Sequence, residues 1–168
     1  REHVWFAGAE LALALSVQGD FTTAQQQGAA VTDQAGAPAP ACGPCLAPVW
    51  LASGIAAYWQ DDLPRADRDL AEAADAGCGP FPVDSLGMVY RILVACATGD
   101  PARITASDMA LRAVDAQQRH DSSWPTLARV AAAKLREAAG DLRGAAALAR
   151  PLARSGVSPL ADALMAEV

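Results

Sequence analysis

A short mark recurs along this chain at near-constant spacing. Gly19-Asp20, Gly99-Asp100 and Gly140-Asp141 are three copies of it, and Asp61-Asp62-Leu63 stands where a fourth falls. The second residues lie at 20, 62, 100 and 141, giving spacings of 42, 38 and 41. Internal periodicity of this length points to stacked supersecondary units, each unable to bury its apolar face alone. The chemistry of the mark says which unit. Glycine tolerates the left-handed conformation that ends a helix. Aspartate accepts hydrogen bonds from the free N–H groups that open the next one. Four residues after the aspartate stands alanine in three copies, Ala24, Ala66 and Ala145, so the second helix packs closely on the first. The third copy departs, with Pro101 after the aspartate and Ile104 at the alanine position; its second helix is expected to begin late, near Ser107-Asp108.

The helix pairs predicted from these marks are 3–18 with 21–33, 45–60 with 63–76, 84–98 with 103–119, and 125–139 with 142–154, followed by a final helix over 159–167. The linkers run from Ala35 to Pro44, Gly77 to Pro82 and Arg119 to Pro125, where Pro and Gly stop one pair before the next begins. Composition agrees. The 168 residues include 41 alanines, the strongest helix former because it loses no side-chain entropy on ordering. β-branched residues never alternate with polar ones over a long stretch, so no strand is expected. The fold class expected is all-α: a single domain over residues 1–168, built as a right-handed superhelical stack of about four helix-turn-helix repeats with a C-terminal helix.

These residues resemble the tetratricopeptide repeat family. Trp50 and Gly54 have the Trp-x-x-x-Gly spacing of that family's first helix, Asp62-Leu63 fills the turn, and Ala66 takes the small position of the second helix. Ala12 and Ala133 hold the small position in other copies; Ile92 does not. The family's repeat is shorter, near 34 residues. A period near 40 in an alanine-rich chain, whose 13 basic residues include one lysine, Lys134, is similar to the MalT-like helical-repeat region of large bacterial transcriptional regulators. That resemblance implies a sensor superhelix set between an ATPase module and a DNA-binding module. Neither neighbour is visible here, since no Gly-x-x-x-x-Gly-Lys-Ser/Thr loop and no basic reading helix occurs. The chain opens without Met, and a fragment or a processed product of a longer protein is expected.

Charge narrows the partners. The net charge of −6 argues against gripping phosphate backbones or an anionic membrane surface. The apolar run from Val4 to Val17 is interrupted by Glu10 and is too short to span a bilayer; it reads as the first helix. A cytoplasmic location is expected.

Cys42-Gly43-Pro44-Cys45 has the spelling of a thioredoxin active site, and a Cys-x-x-Cys at a helix start can lower a thiol pKa. That chemistry needs a preceding strand in a βαβ setting. Here Ala39-Pro40-Ala41 precedes it and helices flank it, so a linker holding two thiols is the expectation, with a thiol–disulfide enzyme using Cys42 and Cys45 as the alternative. Cys45 and Cys78 both lie in linkers that share one edge of a solenoid, so Cys42, Cys45 and Cys78 are weak candidates for zinc or for a disulfide. Zinc needs a fourth ligand that His3, His120 and Cys96 do not supply by spacing. No metal and no cofactor are expected. The acidic run Asp61, Asp62, Asp67, Asp69, Glu72 and Asp75, interleaved with Arg65 and Arg68, reads as a solvated outer helix face.

In stacked pairs the first helices line the concave surface. Register taken from Asp62 and Asp100 places Leu51, Ile55, Tyr58, Trp59, Val89, Leu93 and Cys96 inward. Trp50 takes the packing position toward the partner helix, and Trp59 lies on or beside a groove. This apolar, aromatic face is either core or a site for a peptide, a partner protein or a small effector. The function expected is a non-catalytic binding or sensing module of a bacterial regulatory protein. A structural or dimerisation spacer, with a homodimer formed through the inner face, is the alternative.

Overall fold

The computed structural model describes residues 2–35, 43–76, 83–117 and 124–153. Among them it contains eight α-helices and no strand: α1 Glu2–Val17, α2 Phe21–Ala35, α3 Gly43–Trp59, α4 Leu63–Asp75, α5 Val83–Thr98, α6 Pro101–Gln117, α7 Trp124–Ala138 and α8 Leu142–Ala153. The all-α fold and the paired helices follow the sequence marks. The helix expected over 159–167 lies outside the described residues.

All four turns place a residue with positive φ before a capping aspartate, and at Asp20, Asp62 and Asp141 that aspartate also closes the helix before. Gly19, Gly99 and Gly140 have φ of 86°, 68° and 79°, and Asp61 takes the same role at 61°. Asp20 N–H donates to the Leu15 carbonyl (3.0 Å), Asp62 to Ala57 (2.9 Å) and Asp141 to Arg136 (2.8 Å), which closes the C-terminal turn of the helix before. The same aspartate then caps the helix after. Its carboxylate accepts from Thr23 N–H at Asp20 (3.2 Å), from Arg65 N–H at Asp62 (3.2 Å), from Ala102 N–H at Asp100 (2.9 Å) and from Gly144 N–H at Asp141 (2.9 Å). One residue therefore satisfies orphan groups of two helices.

Two boundaries differ from expectation. α6 starts at Pro101, not near Ser107-Asp108. Proline breaks a helix only in its interior; at the first position its missing N–H has no partner to lose, and its fixed φ suits the helix. For the same reason α3 begins at Gly43 and takes in Pro44, which the sequence assigns to a linker.

The chain forms two compact units, Arg1–Tyr90 and Arg91–Val168. In the first, α3 packs against α1, α2 and α4. α3 is apolar nearly all round, with Ser53 its one non-aromatic polar side chain after the first turn, and such a helix must be surrounded. Ala9, Val31 and Val49 join α1, α2 and α3 in one apolar cluster flanked by Trp5 and Leu46. The buried Ser16 hydroxyl donates to the Ala52 carbonyl (3.0 Å), which ties α1 to α3. α3 and α4 meet through small residues: Ala66 is fully buried, and a Cβ added at Gly54 would lie 2.7 Å from Leu70 Cγ and 3.2 Å from the Leu70 backbone nitrogen.

This close approach gives a paired test. Gly54→Ala is expected to lower the unfolding free energy by about 1–2 kcal/mol, overpacking against α4 outweighing the gain in helix propensity. Gly87→Ala, whose new methyl would meet Leu51 Cδ1 at 3.7 Å, is expected to raise it by about 0.5–1 kcal/mol. Urea melts of the two variants measure the difference, and equal midpoints would remove the Gly54 contact from the account.

One acidic residue of α4 does not lie on the solvated face to which the sequence assigns it. Asp69 is 2% exposed. It accepts from the Ser53 hydroxyl at 2.6 Å, from Arg65 Nε at 3.4 Å and from Arg68 Nε at 3.1 Å, while Arg65 Nη2 also donates to Ser53 at 3.2 Å. Helical periodicity identifies a face but not its width, and α3 covers the margin of this one. Asp61, Asp62, Glu72 and Asp75 are exposed.

In the second unit α7 packs against α8 and more loosely against α6. Its buried residues are mostly small or branched: Val130, Ala131, Ala133 and Leu135 on α7, Ala145 and Ala149 on α8, and Leu111 on α6.

Candidate binding groove

The inward residues of the sequence reading divide into two sets. Leu51, Ile55, Val89 and Leu93 are at most 1% exposed. Side chains so enclosed are core in this structure and present no open surface to a ligand. Tyr58, Trp59 and Cys96 keep part of their surface, as Trp50 does. The first two serve a third aromatic ring. Trp59 Nε1 donates to the Tyr90 hydroxyl at 3.1 Å, and Tyr58 meets Tyr90 edge-on with ring centroids 5.6 Å apart. Tyr58 and Trp59 are likewise edge-on at 5.6 Å. The cluster buries Tyr90 completely and gives Trp59 its polar partner, as buried indole and phenol groups require.

An open concavity lies elsewhere, within the second unit. α6, α7 and α8 enclose a groove of about 760 Å³. From α7 it is lined by Pro125, Ala128, Arg129, Ala132, Leu135 and Arg136, one residue or two per turn along a single face, and Ala139 follows in the turn after it. α6 adds Ile104, Thr105, Asp108, Leu111 and Arg112, and α8 adds Leu148. The floor is apolar: Leu111, Ala128 and Leu135 are nearly buried. The groove exists because α7 presents alanines at Ala128 and Ala132, where a larger side chain would fill the space.

Its polar groups are mostly arginines. Arg112 pairs with Asp108 one turn away on α6 at 2.8 Å. Arg136 pairs with the cap residue Asp141 at 2.9 Å. Asp141 lies below the ordinary carboxylate range, held there first by the Gly144 N–H and next by Arg136. Arg129 is exposed and has no ion pair or hydrogen bond among the described residues. None of the three arginines is singled out by the sequence. Arg129 and Arg136 stand seven apart, two turns on one helix face, but only the placement of α6 and α8 shows that this face borders a hollow.

The thiols supply little chemistry where they are described. Cys42 and Cys78 lie outside the described residues. Cys45 is within the first turn of α3, and its side chain is not among those described. Cys96 is free and half-buried; burial pushes its thiol up to about 11, the charge of Lys134 opposing that in part. A thiol so shifted is protonated at neutral pH and is a poor nucleophile. Among the described residues no group of three or more His, Cys, Asp or Glu side chains could hold a metal ion. No helix among them is long and apolar enough to cross a membrane.

No family model, curated protein or solved structure matches the chain.

Proposed function

We propose that this protein is a non-catalytic helical-repeat module that binds a partner in the α6–α7–α8 groove. The observation that carries the reading is the groove itself: a hollow of about 760 Å³ with an apolar floor and arginines at its edge. Binding sites are commonly concave and mostly apolar, with a few charged groups to orient the occupant. Capped helix pairs repeated along the chain supply the rigid walls such a site needs. The tetratricopeptide-like part of the reading is supported by the Gly54 approach to Leu70 and by the buried Ala66, which match the small-residue positions of that family. Service as the sensor segment of a larger bacterial regulator, in the cytoplasm, belongs to the same proposal. The net charge of −6 supports a partner other than nucleic acid.

The test is site-specific photocrosslinking. A benzophenone amino acid placed at Ala132, inside the groove, is expected to give one discrete adduct in the host cell. The same group at Ala102, exposed on α6 outside the lining, is expected to give none. Identical patterns from the two positions would sink the groove reading, and an adduct of the size of two chains would transfer it to dimerisation.

A further inference from the structure

The charges around the groove are more specific than an apolar slot requires. The chain carries a net charge of −6, yet the groove lining holds Arg112, Arg129 and Arg136 against the single acid Asp108. Arg136 is shared with Asp141, which is not part of the lining, and Arg129 faces solvent with no ion pair among the described residues. A locally positive edge on an acidic protein favours anionic groups there. The spacing adds a second constraint. Arg129 and Arg136 are seven residues apart on α7, about 10 Å along the helix axis. The α7 lining recurs at every turn from Pro125 to Arg136, about 16 Å of groove.

We propose that the groove receives an acidic amphipathic helix of a partner protein, its leucine-like ridge over Leu111, Leu135 and Leu148 and its carboxylates, two turns apart, on Arg129 and Arg136. The proposal rests on the reading of this groove as the binding site. A helix fits because a hollow bordered by parallel ridges of two helices accepts a third by interlocking side chains. Carboxylates one heptad apart on that helix reach both arginines without bending it. Guanidinium groups suit the pairing, since they take carboxylates through two parallel N–H donors.

The experiment uses the whole chain and three fluorescein-labelled peptides of about 15 residues, long enough to form helix on docking. All three share one leucine stripe; the flanking positions one heptad apart are Glu, Gln or Lys. Fluorescence anisotropy at low salt is expected to rank them Glu, Gln, Lys, with the Glu peptide roughly 10-fold tighter than the Gln peptide and the gap shrinking as salt rises. Arg129→Glu is expected to weaken the Glu peptide roughly five- to ten-fold and to strengthen the Lys peptide. Arg91→Glu, an exposed change outside the groove, is expected to alter neither, and circular dichroism melts verify that both variants fold. Equal affinity of the Glu and Gln peptides, insensitive to Arg129→Glu, would overturn the acidic-helix proposal and leave the groove reading standing. Absence of binding by all three peptides also overturns the proposal; if Ala132 gives no crosslink either, the groove reading falls with it. A dimer in sedimentation that Arg129→Glu dissociates would assign the groove to a second copy of this chain and overturn the proposal.

Discussion

Tyr90→Ala is expected to lower the unfolding free energy by about 3–5 kcal/mol, a large share of what holds a domain of this size together. Tyr90 heads the largest fully buried side chains among the described residues. Its ring is the common neighbour of Tyr58 and Trp59, so truncation empties a space that two bulky aromatics cannot refill without leaving their rotamers. Tyr90→Phe separates packing from polarity. It keeps the ring, removes the acceptor of the Trp59 indole N–H, and is expected to cost about 1 kcal/mol, because Trp59 is only partly buried and water can replace the lost partner. Chemical denaturation read by far-UV circular dichroism gives both values. Similar losses for the two variants would mean that the hydroxyl, not the ring, organises the cluster.

Asp69→Leu is expected to cost about 2–3 kcal/mol, although leucine is close in size and better suited to a buried position. The reason is what it abandons. The Ser53 hydroxyl loses its 2.6 Å acceptor on a largely covered helix face. Arg65 and Arg68 lose less, since their side chains are 40% and 67% exposed and remain solvated. A double-mutant cycle isolates the pair: Ser53→Ala with Asp69→Leu is expected to recover at least about 1 kcal/mol of the single loss, as removing both polar partners is cheaper than removing one. Strict additivity would show the serine to be incidental and the arginines to be the true partners.

These two sites also show what sequence reasoning could reach. The helix pairs were legible because a turn is local chemistry: glycine followed by aspartate states its own conformation, and Asp61 could be aligned with the glycines from spacing alone. The start of α6 was not, because Pro101 reads as a breaker until its position in the first turn is known. The burial of Asp69 and the choice between core and groove for the inner face were not legible for a shared reason. Periodicity sorts residues onto faces, whereas burial depends on how many neighbours a helix acquires. α3 acquires α1, α2 and α4, so Leu51 and Ile55 close into core. The groove of the second unit was hidden for the converse reason. Alanines read as close-packing residues, and along α7 at Ala128 and Ala132 their smallness leaves the space open.

The doubled role of the turn aspartates bears on how such a chain is acquired and lost over generations. Because one residue closes the helix before it and opens the helix after it, a helical hairpin carries all its directional instructions inside its own segment. Most of its pairing is then made between positions near in the chain, a low contact order that favours rapid formation. A duplication or deletion whose ends fall between hairpins adds or removes a complete, self-specified piece without re-threading the remainder. An insertion of a single residue at 19–20, 61–62, 99–100 or 140–141 does the opposite, parting a cap from its helix while leaving every apolar side chain in place. Length polymorphism in the lineage of this protein should therefore collect between the hairpins and spare their tips.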